Sequence, residues 1–514
     1  MVVECTVIKN MYRDSVELMR VATEVREEFA LNETDAVMCT PSNKARLREQ
    51  GIFPEDPTVD ADANDILLVA VGDDDVAEAV SEMEHRIQNR DQPADSNVSV
   101  DQRTRSLASA FDETDPNVTL ISIPGEFAVR EAWRALNNGS HIHLFSDNIP
   151  LADERELKQA GKAKGQLVMG PDCGTAIING LPFGFANDVA HGSVGIVSAS
   201  GTGLQEVSTI VDRLGGGISH AIGTGGRDLT DTVGGITTCQ AIELLDHDDQ
   251  TEVIVVISKP PEKTAKQKVL ATLKDCNKPV ILSFVGQTDV SITSNIETTP
   301  TLEAAARQAI NEISEDDTRP LDSIDHDAFN SRIENLTDEL ETGSTTVRGL
   351  FTGGTLCTEA VSILNNSLTN ISSNTKLGSS IDDLLNPTGH ALIDLGCDEL
   401  TAGRPHPMID PEYRNDLLRS VIEEDDVSIV LLDVVLGYGA HTDPVEGIVD
   451  IVESASDPPV VVTSVCGTDS DPQERQEQYE RLSAAGITVA SSNAEAAALV
   501  AQAYDILSQE TDKQ

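Results

Sequence analysis

The sequence predicts an α/β protein built mainly on parallel sheets, and three observations carry that reading. Short, β-rich apolar runs alternate with amphipathic helical stretches along almost all of the 514 residues, the pattern of βαβ units. The segment Gly195-Ile196-Val197-Ser198-Ala199-Ser200-Gly201-Thr202-Gly203 reads as an apolar strand, a Ser/Gly/Thr turn and the first turn of a helix. The same design returns at Gly349-Leu350-Phe351-Thr352-Gly353-Gly354-Thr355. Both copies continue as Gly-Thr-x-x-x-Glu, ending at Glu206 and Glu359, and the repeat predicts two related halves.

In chain order, residues 4–8 predict a strand and 15–29 an amphipathic helix. Strands at 36–39 and 66–71 and a helix at 76–87 complete an N-terminal α/β domain, 1–90. The polar, acidic stretch 89–105 reads as a linker. A strand at 118–123 leading to a helix at 128–137 opens a second portion, 106–165. The segment 166–313 supplies strands at 194–197, 219–222, 253–257 and 280–284, with helices at 203–214, 239–245, 264–276 and 302–313. An acidic connector, 314–345, precedes a last portion, 346–508, with strands at 349–351, 391–395, 428–434, 460–463 and 488–490.

Charge excludes some partners. With 87 acidic against 36 basic side chains the net charge is −51, so nucleic acid and anionic membranes are repelled. The acids are spread along the chain, as expected of a solvated surface adapted to high salt, where screening weakens self-repulsion. The acidic runs at 73–75 and 423–426 read as solvated faces. The eight cysteines form no Cys-x-x-Cys pair, which argues against a zinc site, any other metal site or a disulfide framework. No apolar run reaches membrane-spanning length and no basic-then-apolar leader opens the chain, so a soluble, cytoplasmic protein is expected.

The motifs resemble a known superfamily. Gly170-Pro171-Asp172-Cys173, the 194–202 segment and Ile222-Gly223-Thr224-Gly225-Gly226 are similar to the α subunit of succinyl-CoA synthetases. Residues 118–124 with Asn148-Ile149-Pro150 resemble the later half of that family's CoA-binding domain, and the C-terminal portion resembles the β-subunit ligase domain. Fusion of these pieces without an ATP-grasp domain resembles the FdrA family, as does Gly403-Arg404-Pro405-His406-Pro407-Met408-Ile409-Asp410. The fold so implied is a CoA-binding-like Rossmann portion plus two flavodoxin-like ligase domains.

Three departures shape the functional expectation. The loop expected to carry the synthetases' phosphorylated histidine reads Gly286-Gln287-Thr288-Asp289-Val290 and has no histidine. The supporting glutamate has no counterpart around Ser258-Lys259-Pro260-Pro261. The first βα turn, Lys9-Asn10-Met11-Tyr12-Arg13-Asp14, lacks the glycines that pyrophosphate binding needs, which argues against CoA in the familiar mode. No tightly bound cofactor is expected. Phosphate, acyl phosphate or carbamoyl phosphate is the expected substrate, with CoA an alternative.

The candidate anion site is a pair of helix N-termini whose free amides and dipoles favour a phosphate. The first is Ser198, Ser200, Gly201 and Thr202, with Gly225 and Gly226 as lining. For the second, the turn containing Gly437, Gly439, His441 and Thr442 ranks above Thr352-Gly353-Gly354-Thr355, because it follows the very apolar strand at 428–434. Arg404 and His406, on a proline-stiffened loop, are the expected catalytic orienters of a carboxylate or carbamoyl oxygen. Asp172-Cys173 reads as a buried thiol under the sheet ahead of a substrate contact, and Lys259 as exposed or as an offset to phosphate charge.

By resemblance, the expected activity is direct transfer of an acyl-type group to or from phosphate. The implied setting is an oxamate carbamoyltransferase of ureide breakdown, acting with partner subunits in an oligomer. The alternatives are an acyl-CoA synthetase that borrows a nucleotide-binding subunit, and a non-catalytic scaffold that binds an acyl phosphate or CoA ester.

Overall fold

A computed structural model describes residues 2–511, except 10, 12, 14, 30, 41–42, 45–46, 49–51, 54–60, 62–64, 73–74, 90–105, 288–294, 315–328, 334–336, 338–345, 382, 385–386, 402–403 and 425. The linker at 89–105, most of the connector at 314–345 and the tail of the histidine-free loop therefore lie largely outside the described residues. The chain forms two compact units, Met1–Arg103 with Thr401–Pro405, and Thr104–Leu400 with His406–Gln514.

The N-terminal unit has strands β1 (Val2–Ile8), β2 (Glu33–Met38) and β3 (Ile66–Gly72) in the order β1-β3-β2. Every pairing is antiparallel, which corrects the parallel expectation here. The helix Ser15–Glu28 does carry the chain from β1 to a co-directional β2, but β3 inserts between them in the opposite sense. Because β3 is central, all seven of its residues are buried, with Ile66, Leu68 and Ala70 facing one core and Leu67, Val69 and Val71 the other.

The larger unit holds three sheets. β4 (Val118–Ile121), β5 (His141–Leu144) and β6 (Val168–Met169) form a small parallel sheet. Its helix Gly125–Asn137 starts three residues before the expected 128, directly after Pro124, whose fixed φ suits a helix entry.

The second sheet contains β7 (Thr175–Ile178), β8 (Leu181–Gly184), β9 (His191–Ser198), β10 (Ile218–Gly223), β11 (Val253–Ser258), β12 (Val280–Phe284) and β13 (Ile296–Thr298). Its order is β13-β12-β11-β9-β10-β7-β8, parallel from β13 to β10 and closed by the antiparallel β7–β8 hairpin. The hairpin escaped the sequence reading because both strands are only four residues long and the edge strand β8 is largely exposed.

The third sheet is wholly parallel: β14 (Thr346–Phe351), β15 (Ser372–Ser373), β16 (Ala391–Asp394), β17 (Val427–Val435), β18 (Val460–Cys466) and β19 (Thr488–Ala490), ordered β15-β16-β14-β17-β18-β19. In both large sheets the first parallel strand, β9 or β14, has neighbours on either side that the chain reaches in turn. Its carboxyl end is therefore the switch point where α/β sheets open a crevice. The two Gly-Thr turns sit at these two ends.

Helices Gly201–Arg213, Leu302–Ile313, Gly354–Leu364 and Asn493–Thr511 fill the space between the sheets and share one apolar core. The repeated glutamates lock it reciprocally. Glu359 accepts the Leu302 amide at 2.7 Å, at the start of the other half's last helix. Glu206 accepts the Asn493 amide at 3.0 Å, at the start of the final helix. Each half thus satisfies an orphan N–H of the other.

Candidate functional site

The site is built where the two switch points meet. Ser200 caps the helix Gly201–Arg213, its Oγ accepting from the Gly203 amide at 2.9 Å. The same hydroxyl donates across to Thr355 Oγ1 at 2.6 Å, on the first turn of Gly354–Leu364. A Cβ on Gly353 would lie 2.9 Å from Thr202 Oγ1, so the two N-termini abut end to end. Among the described residues no protein acceptor takes the amides of Gly201, Thr202, Gly354 or Thr355.

The turn that meets Ser200-Gly201-Thr202 is therefore Gly353-Gly354-Thr355. The ranking that put the turn at 437–442 first is corrected. Gly437 packs on the Ala186 carbonyl and Gly439 on the Phe185 ring. The His441 amide donates to the Met408 carbonyl at 2.7 Å, its Nδ1 faces the Asp443 backbone, and Thr442 is exposed. That loop packs on Phe185 rather than presenting amides beside Ser200.

Two acids that the sequence reading passed over shape the second turn. Asp433 is fully buried and accepts from the amides of Thr352, at 2.5 Å, and Gly353, at 2.7 Å. Burial raises its carboxyl to about 6, against those two bonds and the Arg414 charge. Asp394, at the end of β16, pairs with Lys259 at 3.8 Å. Burial raises its carboxyl too, and Lys259 opposes this. A Cβ on Gly354 would collide with Asp394 Oδ2 and come within 2.7 Å of Lys259 Nζ. The Asp394 carboxylate thus lies on the N-terminus of Gly354–Leu364, where an anion belongs. Each acid had a sequence signal: a lone Asp at the carboxyl end of a buried apolar strand.

Ser198 is buried and serves the turn from beneath, donating to the Ser200 carbonyl at 2.7 Å and accepting its amide at 3.1 Å. Gly225 and Gly226 face the Gly170-Pro171-Asp172-Cys173 loop. A Cβ on Gly225 would collide with the Pro171 carbonyl, and one on Gly226 would lie 3.3 Å from Asp172 Oδ2. The preceding Thr224 carbonyl is pinned at 2.8 Å by Lys158, itself fully buried and paired with Asp228 and Glu154. Cys173 is buried, its thiol bonded to the Thr175 and Gly223 carbonyls and pushed by burial to about 12, so it is no nucleophile.

His406 packs its Nε2 edge against Gly396, where a Cβ would come within 2.5 Å, and its ring lies 6.1 Å from that of Phe185. Burial pushes it down to about 4, so the ring is neutral. Its Nδ1 takes the Met408 amide at 3.2 Å, which leaves the proton on Nε2 and makes that atom a donor. Arg404 falls in the N-terminal unit and His406 in the larger one.

Similarity to known proteins agrees with this architecture. Residues 350–503 match the CoA-ligase family, 190–286 the CoA binding domain, and 1–104 the heavy metal-associated domain of AllF. Over 508 residues the chain is 35% identical to YahF of Escherichia coli strain K12, covering 96% of this chain and 97% of YahF. The chain belongs to the FdrA family. FdrA-family membership joins a succinyl-CoA-ligase-like relationship. The α subunit 1 of ADP-forming succinate–CoA ligase from Archaeoglobus fulgidus is 26% identical over 187 residues, 36% of this chain and 62% of that subunit. The Aquifex aeolicus α subunit is 30% identical over 195 residues, 36% of this chain and 61% of its own. This FdrA-family chain therefore spans less than two thirds of those subunits. No helix among its described residues is long and apolar enough to cross a membrane.

Proposed function

We propose that this chain performs the acyl-transfer half of an acyl-CoA-synthetase-type reaction, moving an acyl group between phosphate and an acceptor without a phosphohistidine. A partner subunit would handle the nucleotide. The carrying observation is the end-to-end meeting of the two helix N-termini, joined at 2.6 Å through Ser200 and Thr355, with Lys259 at Gly354. A cation beside a helix N-terminus is unfavourable unless an anion lies between them. The Asp394 carboxylate holds that place in this structure, and phosphate would replace it there. Gly201, Thr202, Gly354 and Thr355 would then stabilise the charge that develops on the transferring group. His406, neutral and donating from Nε2, suits a carbonyl oxygen rather than covalent phosphorylation.

The test is to incubate the full chain with an acyl phosphate and CoA. Thioester and phosphate should appear in equal amounts, with no labelled phosphate left on histidine in the denatured protein. A second reading, implied by the FdrA-family resemblance, is carbamoyl transfer between oxamate and phosphate. Oxamate with carbamoyl phosphate tests it in a parallel arm. If neither arm releases phosphate, the reading of this site as a transferase is wrong.

A further inference from the structure

With 87 acids against 36 bases, a basic surface is the exception on this molecule. A recess of about 310 Å³ in the larger unit is such a surface. Arg155, Gln159 and Lys162 line it from the helix Leu151–Lys164, where spacings of four and three residues put them on one face. Lys268 lines it from the helix Lys263–Lys274. The loop at its edge includes Gly234, with φ 82° and no Cβ to crowd the lysine. A Cβ there would lie 2.6 Å from Lys268 Nζ.

The acids nearby are engaged elsewhere. Asp231, the acid in the lining, caps the helix Lys263–Lys274 by accepting the Thr264 amide at 2.7 Å and the Ala265 amide at 3.1 Å. Glu262 accepts the Asp231 amide at 2.6 Å, and Glu243 pairs with Lys162 at 3.4 Å. Arg155 and Lys268 form no ion pair and donate no side-chain hydrogen bond among the described residues. Two unpaired cations that share one recess focus a positive field in a chain with more than two acids per base. The recess also lies at the start of the helix Ile236–His247. Asp228, itself paired with Lys158, takes the Thr237 and Thr238 amides at 3.3 and 2.9 Å. The Ile236 amide has no protein acceptor among the described residues, so the positive end of that helix adds to the cations.

We propose that this recess binds a diphosphate group, either as pyrophosphate or as part of a nucleotide. Arg155 and Lys162 are seven residues apart, about 10 Å along the helix axis, so an anion that meets both must spread its charge. Two linked phosphates do so. The Arg155 guanidinium fork suits two oxygens of one phosphate, and the Lys162 and Lys268 ammonium groups suit the other as point charges. Val233 and Ile236 give the recess an apolar wall against which a nucleoside can pack. The site shares no residue with the helix N-termini that meet at Ser200 and Thr355, and it stands independently of the transferase reading.

Calorimetric titration of the full chain with pyrophosphate and with ADP tests this, at about 0.15 M salt, where the screening length is about 8 Å. The double variant Arg155→Glu with Lys268→Glu should weaken binding at least tenfold. Both side chains are exposed, so its urea midpoint should stay near that of the wild type. Should it fail to fold, Arg155→Gln with Lys268→Gln removes the same charges and is read in the same way. Gly354→Ala, at the other anion site, should leave this binding unchanged. ADP binding tighter than pyrophosphate assigns the recess to a nucleotide, and equal affinity assigns it to the inorganic ion. The proposal is overturned if neither ligand binds, if the charge variants bind as the wild type does, or if Gly354→Ala alone abolishes binding.

Discussion

At Gly354 the lack of a side chain leaves room for a lysine and an aspartate at the start of a helix. An added Cβ would strike Asp394 Oδ2 and crowd Lys259 Nζ. We expect Gly354→Ala to weaken phosphate binding about tenfold or more, ~1.4 kcal/mol, in a calorimetric titration. Its fold should survive, because the helix itself gains from alanine. Ser200 is tied both to its own helix and to Thr355. Ser200→Ala should therefore cost about 1 kcal/mol in urea unfolding from the lost cap, in addition to its effect on binding. Lone residues of this kind were partly legible. The sequence marked Ser200 and Thr202 through their strand–turn–helix setting. Asp394 and Asp433 were not recognised, because an acid at a strand end takes its meaning from the turn it faces, and that turn lies about 40 to 80 residues away in the chain.

At the scale of elements, the Gly-Thr-x-x-x-Glu repeat is explained by reciprocal capping. Glu206 and Glu359 each sit one turn into the first helix of one half and reach the start of the last helix of the other. Burial raises Glu359 from its ordinary 4.5 to about 8, against bonds from Asn493 and Leu302, with Glu206 and Glu303 adding to the rise. A folded state that holds this proton more tightly than the unfolded chain is stabilised at low pH. That contribution is full below the ordinary carboxyl range and is lost as pH climbs through about 8. The unfolding free energy from urea titrations should therefore fall between about pH 5 and 8 by up to about 1.4 kcal/mol per pH unit from this group and level off above. Glu359→Gln, which cannot ionise, should flatten that slope in the same measurement.

Across the whole molecule, net charge governs the response to salt. With 87 acids against 36 bases, repulsion grows as the screening length lengthens. The melting temperature should rise steadily from low salt to molar potassium chloride, and a melting temperature indifferent to salt would count against salt adaptation. The three segments that the sequence separates as 106–165, 166–313 and 346–508 lie, apart from Thr401–Pro405, in one compact unit. The four helices between the two large sheets bury a common apolar core, so the halves of the repeat are one body in packing.

The sequence alone determined the α/β class, the positions of nearly all the core strands and the strand–turn–helix form of the Ser200-Gly201-Thr202 segment. Those features are written in local periodicity, and in backbone chemistry that spans a few residues. Only the tertiary structure decided which turn faces Ser200. Both candidates follow apolar strands and precede helices, and local pattern does not distinguish a strand end at a switch point from one beside it. It also decided that the three strands of the N-terminal unit are antiparallel, since alternation of strand and helix is silent about where a third strand inserts. Sheet order is a property of long-range packing, and in this chain sheet order selects which two turns meet.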